Sequence, residues 1–173
     1  MKKIAFVLTN LFLINVLPVK AQLPCSNPVY RQLDFWIGKW EAFGKNGKLA
    51  GTSNISCILD SCIILEEWTS ASLQQGLRYA GKSFNTYNTA TKQWQQTWVD
   101  NTGGSTAFLR GEAQKDKVIF FADKVEDGRG KTFMRRLSFT KINTDAVRQL
   151  GERSDDVGKT WTVEYDLEYR RVK

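Results

Sequence analysis

The chain has 173 residues, 42% hydrophobic and 12% aromatic, with 25 Lys+Arg, 18 Asp+Glu and no His. That length suits one domain, and the apolar content excludes a disordered chain. The absence of His excludes Ser-His-Asp and Cys-His nucleophile systems, HExxH zinc sites and haem held by a proximal His.

Residues 1–21 read as a secretory signal peptide. Lys2 and Lys3 form a positive start, Ile4 to Leu17 is mostly apolar, and Val19-Lys20-Ala21 is a small-x-small cleavage site. An apolar run of about fourteen residues is shorter than the roughly 20 that a spanning helix needs. Cleavage near Ala21 removes Lys2, Lys3 and Lys20 and lowers the formal charge from +7 to +4. The expected product is periplasmic or secreted. Its charges are interspersed and no later stretch is long and apolar enough to span a bilayer, so neither nucleic acid nor a membrane span is expected. Nothing in the chain specifies an oligomeric state.

Cys25, Cys57 and Cys62 all lie beyond the cleavage site. An oxidising compartment predicts one disulfide and one thiol left over. Cys57 and Cys62 can close a short hairpin loop, or Cys25 can pin the N-terminal segment to the strand carrying Cys62. Spacing leaves the two open. Three Cys without His do not suggest a closed zinc site, and no metal is expected.

Residues 22–30 carry two prolines and predict an extended arm, and residues 29–36 a short helical turn. Beyond them no 3.6-residue periodicity is sustained. Short runs rich in Val, Ile, Thr and aromatics recur at 37–43, 49–58, 62–69, 77–87, 93–100, 104–112, 117–123, 131–141, 146–154 and 160–171. Turn residues separate them: Lys45-Asn46-Gly47, Asn101-Thr102-Gly103-Gly104, Asn143-Thr144-Asp145. Ten strands joined by hairpins, with no room for crossover helices, predict an all-β, antiparallel, up-and-down barrel with a short N-terminal helical turn. Closure removes the unpaired edges of an open sheet. After the signal peptide, residues 22–173 form a single domain.

Strand alternation sorts side chains onto two faces. Cys62, Ile64, Glu66 and Trp68 share one face of the third run. Ser83, Asn85 and Tyr87 share one face of the fourth, and Trp94, Gln96, Trp98 and Asp100 one face of the fifth. Aromatics interleaved with polar groups suit the wall of a ligand cavity better than a filled core. Trp68, Trp94 and Trp98 are expected as walls. Glu66, Asn85, Tyr87, Gln96, Asp100 and Arg148 are expected to orient a ligand. Arg110, Arg136 and Arg148 are candidate partners for the two acids, which otherwise titrate abnormally if buried.

Ser154-Asp155-Asp156-Val157-Gly158-Lys159-Thr160-Trp161 matches the S-x-D-x-G-x-T-W pattern, the Asp box of sialidase-type propellers. It occurs once, in a chain too short for a propeller. Its content here is a hairpin turn: Asp156 bonds the turn backbone, Gly158 supplies positive φ and Trp161 packs beneath.

Asp34-Phe35-Trp36-Ile37-Gly38-Lys39-Trp40 resembles the start of a calycin-type barrel. Cys62 with Leu65-Glu66-Glu67-Trp68, Trp94 to Asp100, Val147-Arg148-Gln149 and Ser154 to Trp161 follow in the order of a bacterial calycin-like family of unknown function. The resemblance spans nearly all of the chain after residue 21. It implies a lipocalin-like or nitrobindin-like barrel with a central cavity, in which a Trp plugs one end and Gly38 permits close backbone approach. Nitrobindin-type barrels hold haem through a His, which this chain lacks, so no cofactor is expected. The leading expectation is an exported protein that binds a small, partly apolar ligand. The alternatives are a carboxylate-dependent isomerase, lyase or glycan-processing hydrolase using Glu66 and Asp100, or a structural barrel without ligand.

Overall fold

The computed structural model describes residues 24–173. The signal segment, residues 1–21, lies outside them. The arm turns earlier than expected. Asn27 accepts the Val29 N–H through its side chain at 3.0 Å and caps a 3₁₀ turn at Pro28–Arg31. A second 3₁₀ turn follows at Asp34–Trp36.

Eleven antiparallel strands come next: β1 Gly38–Gly44, β2 Leu49–Ile58, β3 Ile63–Gln74, β4 Leu77–Asn88, β5 Gln93–Asp100 and β6 Ser105–Phe108. β7 is Arg110–Gln114, β8 Lys117–Glu126, β9 Thr132–Asn143, β10 Ala146–Ser154 and β11 Thr162–Arg171. The order around the sheet is β6-β5-β4-β3-β2-β1-β11-β10-β9-β8-β7. The chain therefore meanders up and down and nearly closes on itself, with β1 joined to β11 by pairs such as Trp40 with Arg171.

The count is eleven rather than ten because the run 104–112 breaks at Leu109, which is exposed. β6 pairs with β5 and β7 with β8, so this one segment passes from one end of the sheet to the other. Two contacts draw the seam together. Gln95 Nε2 donates to the Leu109 carbonyl at 3.1 Å. Gly111 lies against the Trp94 backbone, where a Cβ would stand 2.5 Å from the carbonyl oxygen.

The two halves of the barrel are filled differently. At the end of the 3₁₀ turns, Leu33, Trp36, Trp40, Trp94, Val118 and Phe139 are fully buried. Trp36 leans on Phe139, with ring centroids 4.1 Å apart, and Trp40 Nε1 donates to the Trp36 carbonyl at 2.8 Å. Gly38, at φ 138°, occupies backbone space that other residues rarely adopt. Beside it the Arg171 guanidinium donates to the Ile37 carbonyl and lies 4.1 Å from the Trp40 ring centroid. A Cys25–Cys62 disulfide ties the arm to the start of β3, and Cys57 is free. This end is a plugged, packed core.

The Ser154–Trp161 segment is the turn its sequence describes. Asp156 Oδ1 accepts from Ser154 Oγ and the Thr160 N–H, both at 2.8 Å. Gly158 has φ 83°, and Trp161 Nε1 donates to its carbonyl at 3.1 Å. Arg136 covers the Trp161 ring at 4.3 Å. Among the described residues no helix is long and apolar enough to cross a membrane.

Candidate functional site: a half-open barrel with a buried acid at its floor

The end opposite the plug encloses a cavity of about 430 Å³. A layer of buried polar side chains forms its floor. Glu66 on β3 is 2% exposed and is surrounded by hydroxyls from three other strands. Ser53 Oγ of β2 donates to its Oε1 at 2.9 Å, and Ser83 Oγ of β4 donates to its Oε2 at 3.0 Å. Tyr169 Oη of β11 lies 3.1 Å from Oε1 and 2.8 Å from Gln149 Oε1 of β10. Behind Ser83 the chain continues. Gln96 Nε2 donates to Asn85 Oδ1 at 2.8 Å, and Asn85 Nδ2 donates to Ser83 Oγ at 3.1 Å. The branch runs donor to acceptor toward Glu66, and Asn85 Nδ2 also donates to the Ile64 carbonyl at 3.0 Å.

Burial opposes ionisation of Glu66 and outweighs the stabilising hydrogen bonds from Ser53, Ser83 and Tyr169, so its carboxyl is pushed up to about 7. No Lys or Arg lies within ion-pair distance of it among the described residues. Near neutrality it is therefore a mixture of acid and carboxylate. As the acid, it donates through Tyr169 to Gln149. As the carboxylate, it accepts from all three hydroxyls.

Aromatic rings make the walls. Trp68 faces Tyr169, with centroids 6.2 Å apart, and Trp98 faces Tyr79 at the same distance. Tyr165 lines the β11 side. Two of these rings lie flat against the sheet because glycines stand beneath them. A Cβ on Gly51 would overlap the Trp68 ring, and one on Gly81 the Trp98 ring. Glycine in a strand costs stability, and here it frees the lumen. Gly81→Val is expected to push the Trp98 ring into the cavity and abolish ligand quenching of tryptophan fluorescence. An unchanged response in this variant would show that the ring does not depend on that gap.

Asp100 stands at the mouth, where its carboxyl is fully occupied. Oδ1 accepts from the Thr102 N–H and Oγ1 and from the Gly104 N–H, holding the β5–β6 turn. Oδ2 accepts from Tyr79 Oη at 3.1 Å and Trp98 Nε1 at 3.3 Å. Partial burial raises its pKa, but the bonds from Thr102, Gly104 and Tyr79 prevail and hold it down to about 2. Asp100 is thus a permanent anion that locks Tyr79 and Trp98 in place.

Five of the residues expected from the sequence line one cavity: Glu66, Trp68, Gln96, Trp98 and Asp100. Asn85 is wholly buried behind the floor and braces Ser83. Trp94 and Tyr87 belong to the plugged end. Trp94 is 2% exposed and donates to Gln32 Oε1, while Tyr87 packs edge-on against Trp94 and Tyr30. Arg148 is not brought to the site. It sits on the outer face and grips Asp166 through two bonds of 2.8 and 2.7 Å, while its neighbour Gln149 points inward. One residue along a strand reverses the face.

The arginines expected to balance the acids do otherwise. Arg110 pairs with Asp123, Arg136 with Glu152 and Arg148 with Asp166. The residues that sequence reasoning missed come chiefly from β11. Tyr165, Leu167 and Tyr169 alternate along the last strand and all line the cavity. Their period-two spacing was the available clue. No group of three or more His, Cys, Asp or Glu among the described residues is placed to hold a metal ion. Compared with known proteins, the chain matches no family model and no curated sequence.

Proposed function

We propose that the protein is an exported, calycin-like barrel that binds a small, partly apolar ligand in its open half. The observation that carries this reading is the cavity itself. Its volume of about 430 Å³ falls within the roughly 300–1,000 Å³ of small-molecule sites. Its walls are Trp and Tyr rings, and its polar groups converge at one end. Export is supported by the signal-like segment 1–21 and by the Cys25–Cys62 disulfide, which suits an oxidising compartment. Kinship with lipocalin-like or nitrobindin-like barrels rests on the sequence resemblance together with the barrel shape.

Trp98→Ala tests the reading. It removes one wall and is expected to eliminate ligand-dependent quenching of tryptophan fluorescence, with little change in overall fold by circular dichroism. Quenching that persists unchanged would place the ligand elsewhere.

A second reading, catalysis by carboxylates, draws on one observation: Glu66 and Asp100 line the same cavity and their environments push their pKa values in opposite directions. Asp100, however, has its oxygens engaged by the β5–β6 turn and by Tyr79 and Trp98, which suits anchoring better than proton transfer. A catalytic version therefore rests on Glu66 alone, as a general acid or base.

A further inference from the structure

We infer that the ligand is an organic cation, a protonated amine or quaternary ammonium carried on an apolar or aromatic body. This rests on the binding reading above and specifies the ligand's chemistry. The inference comes from the charges left over once the protein's own pairs are drawn. Arg135, on the inward face of β9, reaches the cavity and is neutralised, as is its outward-facing neighbour Arg136. Arg135 makes two bonds of 2.8 Å to Glu164, and Arg136 makes two of 2.6 and 2.8 Å to Glu152. In each pair Nε and Nη2 bond one carboxylate, so the guanidinium charge is already balanced within the protein.

The cavity's other two carboxyls have no such partner. Glu66 at the floor and Asp100 at the mouth form no ion pair among the described residues. Once Glu66 ionises, the space between them carries uncompensated negative charge. Hydrogen-bond direction agrees. The branch from Gln96 through Asn85 and Ser83 delivers a donor to Glu66 Oε2, so that oxygen is built as an acceptor. A buried carboxylate without a counterion is costly, and a ligand that brings the counterion removes the cost.

The walls supply the complementary part. Trp68, Tyr79, Trp98 and Tyr165 surround the space between the two acids. Aromatic faces attract cations, and desolvated sites strengthen that attraction. A neutral ligand would use the rings and leave the charge unmatched. An anion would meet repulsion from Glu66 and Asp100.

Three probes of matched size separate the cases: 2-phenylethylamine, 2-phenylethanol and phenylacetate, titrated at about pH 8 against tryptophan fluorescence of the exported protein. The expected result is binding of the amine at least roughly tenfold tighter than of the alcohol or the acid. Glu66→Gln is expected to narrow the preference for the amine over the alcohol severalfold, the remainder coming from Asp100. The comparison among the three probes on the unmodified protein is decisive even if that variant does not fold. An alcohol or acid that binds as tightly as the amine overturns the cation inference and leaves the cavity a binding site. Silence from all three at millimolar concentration overturns both.

Discussion

Trp36→Ala is expected to lower the free energy of unfolding by about 3–5 kcal/mol, the usual cost of removing a fully buried Trp side chain. Trp36 is 0% exposed, stacks on Phe139 and meets Tyr169 edge-on. The indole Nε1 has no hydrogen-bond partner, so truncation strands no acceptor and the loss is one of packing. For a domain of this length the melting temperature should fall by roughly 10 °C. Denaturant unfolding followed by far-ultraviolet circular dichroism reads the effect. A loss below about 1 kcal/mol would mean that the 3₁₀ turns are a surface appendage rather than the plug of the core. The open half should survive the change, and small molecules should still quench fluorescence at temperatures where the variant is folded.

The second large effect is a pH dependence set by Glu66. Its carboxyl is pushed from 4.5 to about 7 by burial, so the native state holds a proton that the unfolded chain releases at lower pH. Its contribution is fully present below about pH 4.5 and is lost as pH rises through about 7. The loss amounts to about 3 kcal/mol across that window. Groups facing Glu66 do not reverse the sign. Tyr169 of β11 is raised far above its ordinary range, by burial first and then by the Glu66 charge, and stays neutral throughout. Tyr165 of the same strand, a phenol with an ordinary pKa near 10, also stays neutral across this window. Ser53, Ser83 and Gln149, from β2, β4 and β10, do not titrate.

Carboxylates elsewhere set the opposite limb. Asp166, bonded by Arg148, and Asp100, bonded by its turn, are held down to about 2. Their contributions are present above about pH 4 and are lost as pH falls toward 2. Stability should therefore peak in mild acid, near pH 4–5, and decline toward pH 8. In Glu66→Gln the decline above pH 5 should flatten while the acid limb remains. An equally steep decline in the Gln variant would assign the alkaline limb to another group.

The barrel was legible because its strands obey a period of two and its hairpins carry ordinary turn residues. β3 and β5 were the clearest. Their inward faces mix Trp with Glu, Gln and Asp, and one alternation placed Glu66, Trp68, Gln96, Trp98 and Asp100 on the cavity side. The break at Leu109 was not legible, since nothing in Ala107-Phe108-Leu109-Arg110 interrupts a strand pattern. The split comes from closure, when one segment has to pair with both ends of the sheet.

Arg148 and Gln149 show a second limit. Each is a plausible ligand contact by residue type, and only the registers with β9 and β11 decide which faces inward. Charge pairing was equally hidden. Arg136 on β9 reaches Glu152 on neighbouring β10, and Arg135 on β9 reaches past β10 to Glu164 on β11, at separations that local reading does not reveal. The depth of the plug also depends on tertiary structure. Tyr87 and Trp94 share faces with cavity residues, yet they lie nearer the packed end of their strands.

A crystal structure of the protein soaked with a mixed set of small aromatic amines, alcohols and acids examines the lumen itself. It should show a fragment inside the barrel, its ring between Trp68 and Trp98 and its polar end toward Glu66. A lumen closed by side chains or holding only water, with every bound fragment on the outer surface, would contradict the binding role.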